Sequence, residues 1–161
     1  MRIKGFLEGK FDPPAPFVKA ILNSKSLNLS KLIDLHIDTG ASTSIILDKD
    51  VRYLKLDVAK LKKAERNIGG IGGVINTYAI EDANLMFRTE DGSLHREGLR
   101  MLVGKHDLTK LDAESRRLIL LMPSLLGRDI LRRYKLVYDE RSKEVYLETR
   151  TALITATPGN T

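Results

Sequence analysis

The chain has 161 residues, 42% apolar and 30% charged, which is the composition of a globular domain rather than a disordered segment. It has no cysteine, so disulfides and thiolate metal sites are excluded, and His36, His95 and His106 have no paired ligand spacing, so neither metal nor other cofactor is expected. The formal charge is +6, yet the basic residues are scattered and accompany no nucleic-acid motif, so nucleic acid is the weakest partner reading.

Met1 to Glu8 lacks the apolar stretch of a signal peptide, and no apolar run approaches a membrane span, Leu118 to Met122 being among the longest. The expectation is one soluble, cytoplasmic domain over 1–161 with no membrane partner. Residues 1–15 read as an N-terminal arm that closes with Asp12-Pro13-Pro14-Ala15-Pro16, too proline-rich for a helix or central strand. Phe17 to Leu22 reads as a strand, Asn23 to Ser26 as a turn and Leu32 to Ile37 as a second strand. Ser44 to Leu47 is a further apolar strand, and Asp48 is placed to cap a short helix that carries Val51 and Leu54 inward. A helical turn is expected around Val58 to Ala64, with Lys60, Lys62, Lys63 and Arg66 on a solvated helix face; the other reading is that, just ahead of a glycine-rich string, they favour acidic residues of a substrate.

Val74 to Phe87 and Leu94 to Val103 read as hairpin partners about the turn Glu90-Asp91-Gly92-Ser93. Thr109 to Met122 contains a helix start near Asp112 and is stopped by Pro123. Leu125-Leu126 is a buried strand, Arg128 to Tyr134 a helix, and Lys135 to Asp139 with Glu144 to Glu148 a last hairpin. Thr151 to Ala156 could add a strand before the tail 157–161. Many short strands and few helices predict a mostly β fold, closed or orthogonally packed.

Three segments carry chemistry. Asp38-Thr39-Gly40-Ala41-Ser42 follows Ile33 to Ile37, which alternates as a strand with one buried face. By itself Asp-Thr-Gly is an ordinary strand-ending turn. Asn67-Ile68-Gly69-Gly70-Ile71-Gly72-Gly73-Val74-Ile75 brackets one isoleucine with four glycines between β-branched flanks, a hairpin tip that alone would be merely flexible. Leu125-Leu126-Gly127-Arg128-Asp129-Ile130-Leu131 is an apolar run broken by glycine and resumed as a helix.

In this order the three segments resemble the retroviral-type (retropepsin-like) aspartic proteases, with their D-T/S-G-A loop, glycine-rich flap and Gly-Arg-Asn/Asp segment; the likeness runs from about Pro16 to Glu148. The resemblance implies an acid-protease fold with a flap hairpin and a short C-terminal helix. It implies Asp38, Thr39 and Gly40 as catalytic-loop residues, with Thr39 holding two loops together across a dimer axis. It also implies substrate contacts from His36, Ala41, Ser42, Gly69, Gly70, Ile71, Gly72 and Gly73, and structural support from Arg128 and Asp129. His36, two residues before Asp38, would line a substrate pocket; an ordinary hydrogen-bonded histidine is the other reading. Thr109 to Met122 is longer than its viral counterpart and is taken as an insertion, 109–122, of unreadable purpose.

Hydrolysis by carboxylates alone needs two side by side, sharing one proton. This chain has a single Asp-Thr-Gly, so an active protease would be a homodimer with one Asp38 from each copy, cleaving peptide or protein substrates. A non-catalytic peptide-binding or dimerisation module is the alternative on the same fold. In the viral enzymes the arginine of the Gly-Arg segment pairs with an acid at the position of Ser42, so Arg128 needs another partner: Asp129, an acid elsewhere or a serine hydroxyl. Ile3 to Leu7 and Ala152 to Ile154 are candidate strands for the dimer seam, or else pack on their own subunit.

Overall fold

Alternation fixes the central strands. In β3 (Leu29–Ile37), Ile33, Leu35 and Ile37 are buried while Asp34 and His36 face the other way. Asp38 is next on that second, polar side. The computed structural model describes residues 1–65, 68–70 and 73–149. Asn67, Ile71 and Gly72 of the glycine-rich string, Arg66 of the basic run, and the expected C-terminal strand, seam segment and tail lie outside those residues.

The chain opens with β1 (Arg2–Glu8) and β2 (Ala15–Ser24), not with an arm. β1 is an ordinary sheet member because Ile3 is 1% exposed in the core, and its backbone pairs with β11 from Arg2 to Lys4 and with β2 from Gly5 to Glu8. The prolines that suggested an arm occupy only the connection and the start of β2, where a missing N–H costs nothing. β2 pairs antiparallel with β3 from Phe17↔His36 to Ser24↔Leu29.

After the Asp38 turn come β4 (Ile45–Ile46), α1 (Asp48–Leu54), a 3-10 turn at Val58–Lys60 and β5 (Lys62–Lys63). Val51 and Leu54 point inward as expected. Asp48 is not the helix cap: Leu47 holds that position without a side-chain bond, and the Asp48 carboxylate turns into the protein toward His106. Of the lysine run, Lys60 ends the 3-10 turn as expected, but Lys62 and Lys63 are not on a helix face. Lys62 and Lys63 lie on an edge strand paired to Ala79 and Tyr78, where charge guards an open edge.

β6 (Ile68–Gly70) and β7 (Gly73–Arg88) pair antiparallel, Gly69 opposite Val74 and Gly70 opposite Gly73. β7 then pairs along β8 (Leu94–Lys105), with a register shift between Ile80 and Ala83. α2 (Ala113–Leu121) follows a 3-10 turn at Leu108–Lys110; then come β9 (Leu125–Leu126) and α3 (Arg128–Leu131). α3 is one turn, shorter than expected, because Tyr134 already starts β10 (Tyr134–Asp139), which pairs with β11 (Glu144–Thr149).

Pairing runs β2–β3–β9–β4–β8–β7 and returns from β7 to β2 at Ile21↔Met86, so six strands make a ring. β3–β9 and β4–β8 are its parallel contacts. Val18, Leu22, Leu35, Leu85, Phe87 and Met101 fill the interior, each at 0% exposure. Burial of such a side chain contributes about 1.5–3 kcal/mol, which makes the ring a firm support for whatever leaves its rim. Among the described residues no helix is long and apolar enough to cross a membrane.

Candidate functional site

The Asp38 turn is held from three directions. Its own strand is extended across the sheet, since Asp38 N–H donates to the Leu126 carbonyl at 3.1 Å and His36 N–H to that of Ser124 at 2.9 Å. The carboxylate then closes the turn: Asp38 Oδ1 accepts from Gly40 N at 2.8 Å and Ala41 N at 3.2 Å. A short acid followed by small residues is what such a turn requires, because the amides must approach the carboxylate closely. Asp38 is half-buried, and Thr39, Gly40 and Ser42 are exposed.

The third support is the Gly127-Arg128-Asp129 segment. Arg128 N donates to the Ala41 carbonyl at 2.9 Å and Asp129 N to that of Ser42 at 3.2 Å. The Arg128 guanidinium donates through Nη1 to the carbonyls of Thr39 at 2.8 Å and Gly40 at 3.0 Å. Arg128 therefore takes none of the three expected partners. Backbone oxygens at the tip of the turn take its charge, in place of the carboxylate that Ser42 lacks. Asp129 instead accepts from Ser44, at 3.0 Å from N and 2.7 Å from Oγ, and Ser44 Oγ in turn accepts from Gly127 N at 2.9 Å.

Ser44 is the residue that sequence reading missed. It is fully buried and joins the two segments. The available signal was Asp129, a carboxylate directly ahead of the apolar Ile130 and Leu131, which needs donors nearby. Gly127 has an equally local reason. A Cβ there would lie 2.6 Å from the Thr43 carbonyl carbon and 2.9 Å from Ser44 N, so only glycine lets the two backbones pass.

His36 is directly opposite Phe17, their rings 5.2 Å apart, and Phe17 is covered on its other sides by Phe6 and Phe11 at 5.8 and 5.7 Å. Burial lowers the His36 pKa, and the Asp38 carboxylate works against that shift. Across the parallel pair His36 faces Leu125. Thus His36, Asp38, Thr39, Gly40, Ala41, Ser42, Arg128 and Asp129 come together, whereas Gly69, Gly70 and Gly73 lie on the β6–β7 hairpin. The base of that hairpin is tied in at Ile75, which packs with Ile45, Leu47 and Leu125.

Among the described residues no group of histidine, aspartate and glutamate side chains is arranged to hold a metal. The chemistry available at the Asp38 turn is that of a positioned carboxylate beside exposed backbone.

No curated protein is similar enough in sequence to count as a relative. Among solved structures, a retropepsin-like aspartic protease from Rickettsia conorii is 20% identical, with a TM-score of 0.50, over 91% of this chain and 88% of that one. The protease of EIAV, solved with the inhibitor HBY-793, is 22% identical over 77% of this chain and 93% of that one, with a TM-score of 0.46. The retroviral protease-like domain of Ddi1 from Leishmania major is 12% identical over 84% and 94%, with a TM-score of 0.42. At 20% identity and a TM-score of 0.50 the likeness to the Rickettsia protein is one of fold, and the mostly β architecture is retropepsin-like. The family model described as retroviral aspartyl protease matches residues 13–137, and the chain belongs to that family.

Proposed function

We propose that this chain is an aspartic endopeptidase that works as a homodimer, with Asp38 of two copies forming the acid pair. The observation that carries the reading is the Asp38 turn. One half-buried carboxylate is fixed by the Gly40 and Ala41 amides, and Arg128 braces the loop behind it. A single carboxylate cannot serve as both acid and base, and the sequence holds no second Asp-Thr-Gly. Thr39 and Gly40, exposed at the tip, would meet their counterparts across the axis.

In that pair the ionised Asp38 removes a proton from water while the protonated one donates to the carbonyl oxygen of the scissile peptide. The proton shared by the two carboxyls titrates as a property of the pair. An extended peptide would bind as an added strand, its main chain held by Gly40 and by Gly69, Gly70, Ile71, Gly72 and Gly73 of the glycine-rich string, its side chains alternating toward Ala41, Ser42 and His36.

The test is digestion of a mixed peptide library across pH by wild type and Asp38→Asn, with the oligomeric state measured in parallel. Cleavage by a wild-type dimer that is lost in Asp38→Asn is the expected result. Absence of cleavage by a protein shown to be dimeric would replace the peptidase with a peptide-binding module.

A further inference from the structure

The sheet path ends at β10 on one side and at β5 on the other. β5 is only Lys62 and Lys63, and its shortness and charge guard it. β10, Tyr134-Lys135-Leu136-Val137-Tyr138-Asp139, is longer and rich in strand formers, and among the described residues it pairs with β11 alone. Thr149 N–H donates to the Met1 carbonyl at 3.0 Å, so Thr149 turns its polar backbone toward β1, and Tyr134 opposite it turns away from β11. Backbone direction alternates along a strand. Leu136 and Tyr138 therefore also turn N–H and C=O to the open side, where no described residue bonds to them.

This open edge continues the segment that braces the Asp38 turn. Arg128, which donates to the Thr39 and Gly40 carbonyls, opens α3, and only Arg132 and Arg133 separate that helix from β10. Arg133 and Tyr134 are both bonded to Glu97 of β8, which fixes where the strand begins. The seam expected at Ile3 to Leu7 is already taken up by its own chain, paired with β11 and β2.

We propose that β10 is the seam between two copies of this chain, pairing antiparallel with the same strand of the second copy about a two-fold axis at Val137. The inference rests on the reading of Asp38 as half of an acid pair, which is incomplete without that copy. Backbone direction requires outward residues to meet outward residues, so Leu136 stands opposite the partner's Tyr138 and Tyr138 opposite the partner's Leu136. Charge chooses this register over its neighbours. Centred on Val137, exposed Lys135 lies opposite the partner's exposed Asp139, twice by symmetry. Centred on Leu136 it would face Val137, and centred on itself it would face a second lysine. Within its own chain Lys135 is opposite Glu148, which is bonded to Arg2 at 3.1 Å, and Lys135 has no ion pair among the described residues. Tyr138, 44% exposed, gains an apolar neighbour in the partner's Leu136.

The chain has no cysteine, so one introduced thiol reports the seam. The two Val137 residues would form a non-hydrogen-bonded pair with Cα atoms about 4.5 Å apart, which suits a disulfide. Val137→Cys should therefore give a covalent dimer under mild oxidation, whereas Lys135→Cys, about 13 Å along the strand from its mate, should not. Lys135→Gln, at an exposed position, should weaken the dimer about fivefold in sedimentation equilibrium, with a smaller difference from wild type at high salt. A monomeric wild type overturns the seam. So does a dimer whose constant Lys135→Gln leaves unchanged, or in which Val137→Cys couples no better than Lys135→Cys. Cleavage of the peptide library judges the peptidase reading separately. A linked dimer of Val137→Cys that cleaves nothing, when wild type also cleaves nothing, retains the seam and rejects the peptidase; a wild-type dimer that cleaves while Val137→Cys never couples does the reverse.

Discussion

Replacing Gly127 by alanine isolates the contact that joins the Asp38 turn to α3. The backbone at Gly127 has φ −93°, a conformation alanine adopts freely, so the substitution brings no dihedral strain. Its cost is steric. The new methyl would sit 2.6 Å from the Thr43 carbonyl carbon, 2.8 Å from its oxygen and 2.9 Å from Ser44 N, all backbone atoms that cannot rotate away. Relief to an ordinary contact of 3.4 Å requires the segments to part by about 0.8 Å. Gly127 N to Ser44 Oγ and Arg128 N to the Ala41 carbonyl are each 2.9 Å now, and Asp129 N to the Ser42 carbonyl is 3.2 Å. Each would stretch beyond hydrogen-bonding range, at about 1 kcal/mol apiece, so the expected loss is about 3 kcal/mol. Overpacking of a close backbone contact costs a similar amount. Urea unfolding at matched protein concentration measures it, since association would shift the apparent midpoint. A loss under about 1 kcal/mol would mean that the two segments are not braced as described. Peptide cleavage by the variant should fall further than its stability, because the distortion is delivered to the turn that holds Asp38.

Two further outcomes concern pH and buried charge. Because the folded His36 pKa lies below its ordinary 6.5, the unfolded chain binds more protons just below that pH. Its contribution is therefore present above about 6.5 and lost as pH falls toward the folded value, and His36→Leu should remove that part of the slope in a pH series of thermal melts; an unaltered slope refutes it. Glu97 is 9% exposed and is held by Arg133, Tyr134 and His95. Burial by itself would raise its pKa, but the three partners together carry it below the usual 4.5. Its contribution is thus full above about 4.5 and lost as pH falls through the lower folded value. Glu97→Gln should cost about 2 kcal/mol near neutral pH, by chemical unfolding, and flatten the acid limb; equal loss at pH 3 and pH 7 would refute the charge-based account.

What the sequence determined by itself is local. Alternation in Leu29 to Ile37 made a half-buried strand and put His36 and Asp38 on one side of it, because side chains alternate with a period of two. Asp-Thr-Gly, the glycine-rich string and Leu-Leu-Gly-Arg-Asp marked the turn, the hairpin and the start of a helix, though not that the helix ends after one turn, since each depends on residue types over a few positions. Partners from distant segments were legible only where the chemistry of one residue demanded one. Asp129 demanded donors, but nothing local named Ser44; Arg128 demanded acceptors, and the assembled fold supplied the Thr39 and Gly40 carbonyls. Ile3 to Leu7 was legible as an apolar strand, but its pairing with β2 and β11 of its own chain was not, because pairing is a property of the assembled sheet. Asp48 looked like a cap for the helix that follows it, but a buried imidazole from 58 residues away was the stronger partner. The bond from buried Ser124 to Asp50 at 2.6 Å, and the exposure of Leu118 and Leu121 on α2, were likewise decided by tertiary structure. Burial is a sum over neighbours brought together from the whole chain, and periodicity alone does not say which face of a short helix they will cover.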